Sequence, residues 1–299
     1  MTKDELVRTI QFAITDEVFY ALGLKRRGFL RRGLGWLFTP PTRIFARYMA
    51  EVEGAVESGA LPAGARKMLD ILGIHSQAQG IEHIPKAGPT IILSNHPGAY
   101  DSIAIGSLIP RLDLKIIVAE TRFYKALLNI SPNLICVSPD PQKRREVLHQ
   151  AVAHLQQGGC LLQFGSGLIE PDPMLEPVGA EVFEKWSPSI EIFLRKVPET
   201  RIVPTIASGV LLARFQNHPL TWLRRGAMDK RRLAEFTQVI QQLLFPKTVH
   251  AAPQISFGAP FTLADLEKDD AGKRLMPAVI ARMQAQLESH LVWIGREPG

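Results

Sequence analysis

The chain has 299 residues, 46% of them hydrophobic, and a formal net charge of +6. That length and apolar content suit a globular protein with a large core and exclude a disordered, repetitive or low-complexity chain. Its two cysteines, Cys136 and Cys160, lie in apolar strand-like runs, which excludes a disulfide framework or metal cluster and reads as buried thiols in a reducing compartment.

From the N-terminus, Thr2 and Glu5 form a capping box for an amphipathic helix over 3–22, and acidic residues this early are unlike a signal or transit peptide. Lys25, Arg26, Arg27, Arg31, Arg32, Arg43 and Arg47 then alternate with Phe29, Leu30, Leu34, Trp36, Leu37, Phe38, Ile44 and Phe45, with no acid from Val18 to Ala50. Two readings stand: a docking surface for an anionic membrane, or a helical subdomain whose aromatics pack inward and whose arginines are solvated. Helices predicted over 40–58 and 61–72 complete an N-terminal helical segment of residues 1–73. No stretch reaches the ~18 uninterrupted apolar residues of a spanning helix.

Residues 74–299 form the second region. Pro89-Thr90-Ile91-Ile92-Leu93-Ser94 is β-branched and apolar, so it predicts a short buried strand, and Pro97-Gly98 breaks it before a helix from Tyr100-Asp101 onward. Strands predicted at 114–118, 134–137, 160–164, 201–207 and 253–257 then alternate with helices at 121–128, 141–157, 188–197, 229–245 and 272–294. This alternation predicts an α/β fold, a mostly parallel sheet flanked by helices, with ligands at the strand C-termini.

His96 and Asp101 stand at one such terminus. Five residues apart on one helix they would face different ways, but the Pro97-Gly98 turn allows the carboxylate to fold back onto the imidazole. A carboxylate there fixes the tautomer and leaves the other ring nitrogen to take a proton from a hydroxyl. The alternative is an Asp that caps the new helix beside an incidental exposed His.

Gly80-Ile81-Glu82-His83-Ile84-Pro85, then Gly88-Pro89-Thr90-Ile91-Ile92-Leu93-Ser94-Asn95-His96 with Asp101, resembles the first block of the phospholipid/glycerol acyltransferase family, which includes glycerol-3-phosphate and lysophosphatidic acid acyltransferases. Phe123 falls near the second block, Phe164-Gly165-Ser166-Gly167 where the family has Phe-Pro-Glu-Gly, and Ile202-Val203-Pro204-Thr205-Ile206 resembles the fourth. The resemblance implies a glycerol-3-phosphate acyltransferase-like fold and acyl transfer from acyl-CoA or acyl-carrier protein to a hydroxyl of a lipid acceptor. His96 would be the general base, Asp101 its orienting partner, and Asn95, Phe164, Gly165, Ser166 and Gly167 substrate-binding residues. Neither metal nor redox cofactor is implied.

The chain departs from the family where an acceptor phosphate would be held. Ser166 replaces the third-block Glu, Leu168-Ile169 follow where an Arg is usual, and the second block closes on Ser138-Pro139 without one. Lys143, Arg144 and Arg145, opening a helix capped by Asp140 with Pro141 at its first position, read either as an anion site or as a solvated basic face. Gly165-Ser166-Gly167 reads either as an anion-binding nest or as a tight packing turn. Glu170-Pro171-Asp172-Pro173 reads as a rigid surface loop or as a pair of carboxylates for a polyol or amine acceptor.

A second basic cluster, Arg214, Arg224, Arg225, Lys230, Arg231 and Arg232, flanks Trp222 and extends the membrane-docking reading; no nucleic-acid motif accompanies it. The expectation is a cytoplasmic acyltransferase, peripheral on the cytoplasmic membrane face. The rivals are an N-acyltransferase on an amine-bearing lipid, a non-catalytic lipid-binding protein with a degenerate acyltransferase fold, and a nucleic-acid binder. The oligomeric state is not legible.

Overall fold

The computed structural model describes residues 2–21, 29–98, 100–138, 140–245, 248–269 and 275–297. The chain opens with helices α1 (Lys3–Ala21) and α2 (Phe29–Leu72), then runs β1 (Gln77–Gln79), β2 (Thr90–Ser94), α3 (Asp101–Leu108), β3 (Leu114–Ala119), α4 (Arg122–Lys125), β4 (Leu134–Val137), α5 (Arg144–Gln156) and β5 (Cys160–Phe164). It continues through α6 (Ser189–Lys196), β6 (Arg201–Ser208), α7 (Ala213–Gln216), α8 (Ala227–Leu244), β7 (Gln254–Phe257), α9 (Leu263–Asp269) and α10 (Leu275–Trp293).

The seven strands form one sheet in the order β1-β7-β6-β2-β5-β3-β4. Strands β2 to β6 are parallel to one another. At one edge β7 runs antiparallel to β6 and β1 follows β7, so two strands are reversed in an otherwise parallel sheet. Ser94 at the end of β2 is level with Phe164 on one neighbour and Thr205 on the other, so the segment that follows it emerges between the ends of β5 and β6.

Both faces of the sheet are covered, which is why the central strands are apolar without alternation. Ile92, Cys160, Leu162, Val203 and Ala207 point into one core with α2 and α3 residues such as Val52, Met68 and Ile105. Ile91, Leu93, Leu161, Ile202 and Ile206 point into the other with residues of α5, α6 and α10 such as Leu155, Phe193 and Met283. Each fully buried Ile or Leu contributes about 1.5–3 kcal/mol. The N-terminal helices therefore share a core with the sheet.

The capping box forms as expected: Thr2 N donates to Glu5 Oε2 at 2.8 Å and Glu5 N to Thr2 Oγ1 at 3.2 Å. The helix expected from residue 40 instead begins at Phe29 and carries Pro40 and Pro41 inside it. Packing against α1, including an edge-to-face contact of Phe19 and Phe38 at 5.7 Å, overrides the start signal those prolines give. The break between 58 and 61 is real, because Gly59 and Ala60 leave helical geometry, Ala60 with φ +60°. The helix expected over 121–128 shortens to α4. Lys25, Arg26 and Arg27 lie outside the described residues. No described helix is long and apolar enough to cross a membrane.

Candidate active site

At the end of β2 the chain is pinned before it turns. Asn95 is buried and exchanges two hydrogen bonds with Ala207 of β6, Nδ2 to O at 2.9 Å and Oδ1 from N at 2.8 Å. Its amide thus continues the sheet pairing by one residue and fixes the start of the turn.

His96, Pro97 and Gly98 then make the turn, and Asp101 opens α3 with no solvent exposure. Asp101 Oδ2 lies 2.7 Å from His96 Nδ1 and accepts Gly98 N–H at 3.1 Å, while Oδ1 accepts Ser102 N–H at 2.5 Å. One carboxylate thus contacts both the N–H of Ser102 in the first turn of α3 and the imidazole. With Asp101 accepting, the proton is assigned to Nδ1 and Nε2 is left as the basic atom. The ring of Phe164 stacks on the imidazole at 4.5 Å and 27°.

Three carboxylates surround this histidine. Burial alone lowers its pKa, but the charge and hydrogen bond of Asp101, with the charges of Glu235 and Glu170, raise it from 6.5 to about 9. Glu235 comes from α8, and its Oε1 would stand 2.6 Å from a Cβ at position 98, which explains the glycine there.

Glu170 correctly belongs to the interior, not to a surface loop. Its Oε2 accepts His96 N–H at 3.2 Å, its Oε1 accepts the Trp186 indole N–H at 2.9 Å, and its own N–H donates to His96 O at 2.7 Å. Asp172, equally buried, accepts the N–H groups of Gly209, Val210 and Leu211 at 2.9, 2.9 and 3.2 Å. Burial pushes both carboxyls up, and these hydrogen bonds work against it. The surface-loop expectation fails because both acids supply acceptors to backbone that the sheet leaves unpaired.

The third-block loop is packed closely at its first glycine. Gly165 N–H is taken by Ser94 O at 2.9 Å, and a Cβ at that position would meet the Trp186 ring at 1.8 Å. Ser166 Oγ accepts Leu168 N–H at 3.2 Å, its side chain also hydrogen-bonds Glu170, and Gly167 holds φ +65°. Lys143, Arg144 and Arg145 are exposed at the start of α5, where Asp140 Oδ1 caps Gln142 N–H at 2.9 Å. They sit beyond β4, three strands from β2 and so ~14 Å across the sheet.

Beside the dyad lies an apolar cavity of about 330 Å³ between α2, α3, β3 and α4, lined by Val52, Val56, Ile103, Gly106, Phe123 and Leu134 among others. It reaches Tyr100 and Ser102, the residues on either side of Asp101. Tyr100 Oη is buried with no hydrogen-bond partner among the described residues, and burial raises its pKa.

Sequence reasoning singled out His96, Asp101 and Phe164, which the structure brings together, and missed Glu235 and Trp186. The signal for Glu235 was an acid between Ala234 and Phe236 on the apolar side of a helix. No family model matches the chain, and no curated protein matches it. Among solved structures it is similar to the 1-acyl-sn-glycerophosphate (LPA) acyltransferase PlsC from Thermotoga maritima, at 13% identity and a TM-score of 0.49, over 97% of this chain and 95% of that one.

Proposed function

We propose that this protein is an acyltransferase that moves a fatty acyl group from a thioester, acyl-CoA or acyl-carrier protein, to a hydroxyl of a glycerolipid or lysolipid. The observation that carries the reading is the 2.7 Å His96–Asp101 pair beside an apolar cavity. Nε2 takes the acceptor hydroxyl's proton as its oxygen attacks the thioester carbonyl. The tetrahedral intermediate then collapses, the C–S bond breaks, and the imidazolium returns the proton to the departing thiolate. Asp101 holds the ring and stabilises its charged form. Glu170 grips the His96 peptide from both sides.

The cavity suits the acyl chain, being apolar and within the ~300–1,000 Å³ of small-molecule sites. The carboxylates of Asp101, Glu170 and Glu235 around His96 disfavour a phosphate beside the attacked bond. The same anionic surround supports a second reading, in which the acceptor group is an amine.

The test is labelled acyl-CoA incubated with the protein and a panel of phosphorylated lysolipids, unphosphorylated lysolipids and amine-bearing lipids. The reading expects product from an unphosphorylated acceptor and none with His96→Ala. Transfer that survives His96→Ala refutes the base. A wild-type protein that binds these lipids and turns none over is a lipid-binding protein instead.

A further inference from the structure

Beyond the C-terminal end of β6 the chain builds a projection whose outer turn, at Pro219–Leu223, carries no residue of the His96 site. Gly209, Val210 and Leu211 are held by Asp172, Leu212 N–H donates to Gln238 Oε1 at 2.9 Å, and α7 leads into a one-turn helix at Pro219–Leu223. Thr221, 2% exposed, closes that turn: its N–H and Oγ1 both donate to His218 O, at 2.8 and 2.7 Å, and its carbonyl accepts Arg224 N–H at 3.0 Å. The next two side chains, Trp222 and Leu223, are each 76% exposed.

A hydrophobic pair fixed outward on an anchored turn is a surface that water does not favour. Around it Arg224, Arg225, Lys230 and Arg232 are exposed and form no ion pair among the described residues, and Asp229 is the one acid between Ala213 and Arg232. Arg214 and Arg231 are engaged within the protein, with Thr248 O and Glu176. Since β6 runs parallel to β2, the projection leaves the sheet at the same end as His96.

We infer that the turn at 219–225 docks on an anionic lipid bilayer, with Trp222 and Leu223 entering the interface and the four cations facing headgroups. The basic rim decides the occupant. A second copy of the chain would set cations against cations, whereas an anionic surface complements them. Docked this way, the molecule presents the end of the sheet that carries His96 to the membrane.

The inference is independent of acyl transfer, because vesicle partition is measured without substrate. The full-length protein is sedimented with phosphatidylcholine vesicles and with mixed phosphatidylcholine–phosphatidylglycerol vesicles, at low and high salt. Wild-type protein is expected to favour the mixed vesicles and to release in salt only in part, leaving a salt-resistant fraction held by Trp222 and Leu223. Charge reversal at Arg224 and Arg225 is expected to weaken partition roughly fivefold per charge removed. Trp222→Ala with Leu223→Ala is expected to abolish the salt-resistant fraction, and Trp222→Phe to restore it while removing the blue shift of tryptophan fluorescence on vesicle addition. Three results overturn the inference: unchanged partition of both double variants, a concentration-dependent dimer lost with Trp222→Ala, or salt-sensitive retention by DNA or RNA without retention by vesicles.

Discussion

Two histidines in this molecule sit in short hydrogen bonds and end at opposite chemistries. His96 Nδ1 meets Asp101 at 2.7 Å; His290 on α10 meets Ser256 Oγ through Nδ1 and Ser208 Oγ through Nε2, both at 2.8 Å. Burial lowers both pKa values, but carboxylates lift His96 to about 9 while His290, among hydroxyls and without solvent exposure, falls to about 4. Both nitrogens of His290 are occupied by the protein, so it ties β6 and β7 to α10. His96 has a carboxylate on one nitrogen and keeps the other. Hydrogen bonding as such does not mark a catalytic histidine; the charge of the partner and the availability of the second nitrogen do.

The contrast breaks most sharply in activity. His96→Ala should lower acyl transfer per folded molecule by about 10²–10⁴-fold, measured by product formation. His290→Ala should keep activity per folded molecule and lower stability by about 1–3 kcal/mol, since it strands the Ser208 hydroxyl and leaves Ser256 Oγ with Gln286 Nε2 alone. Equal activity losses would erase the distinction.

Asp101→Asn should lower the rate by about 10²-fold and carry the acid limb of the pH–rate profile down from about 9 towards the ordinary 6.5. Acyl transfer by the parent protein should accordingly speed up from pH 7 to 9, because roughly one His96 in a hundred is neutral at pH 7. Glu170→Gln should move the same limb in the same direction by less.

Stability should also bend in opposite senses. Between pH 6.5 and 9 folded His96 holds a proton that the unfolded chain has lost, so rising pH weakens the fold, by at most about 1.4 kcal/mol per unit. Between 6.5 and 4 the unfolded chain protonates His290 and the folded protein does not, so falling pH weakens it. Urea midpoints across that range should flatten on the alkaline side with His96→Gln and on the acid side with His290→Gln.

The dyad was legible because an apolar run ending in a Pro-Gly break announces both a strand and the place where it turns. A mostly parallel sheet followed from alternation, but the reversal of β7 and β1 did not, since periodicity carries no direction. Three-residue β1 is too short to show a period at all. Glu170 and Asp172 were misread because acids beside prolines carry the signature of an exposed loop, and their partners are backbone groups dozens of residues away. His290 looked like any polar residue on an amphipathic helix; its partners, Ser208 and Ser256, lie on two different strands. Local patterns reported which segments are regular, and long-range satisfaction of buried polar groups decided the rest.

Asp101 joins two events that need not have been linked. The same carboxylate that holds the Ser102 N–H in the first turn of α3 also contacts the imidazole, so the dyad persists only as long as that turn does. Fraying of one turn would disarm the site without unfolding the sheet, and amide exchange at Ser102 would report the lifetime of the armed state.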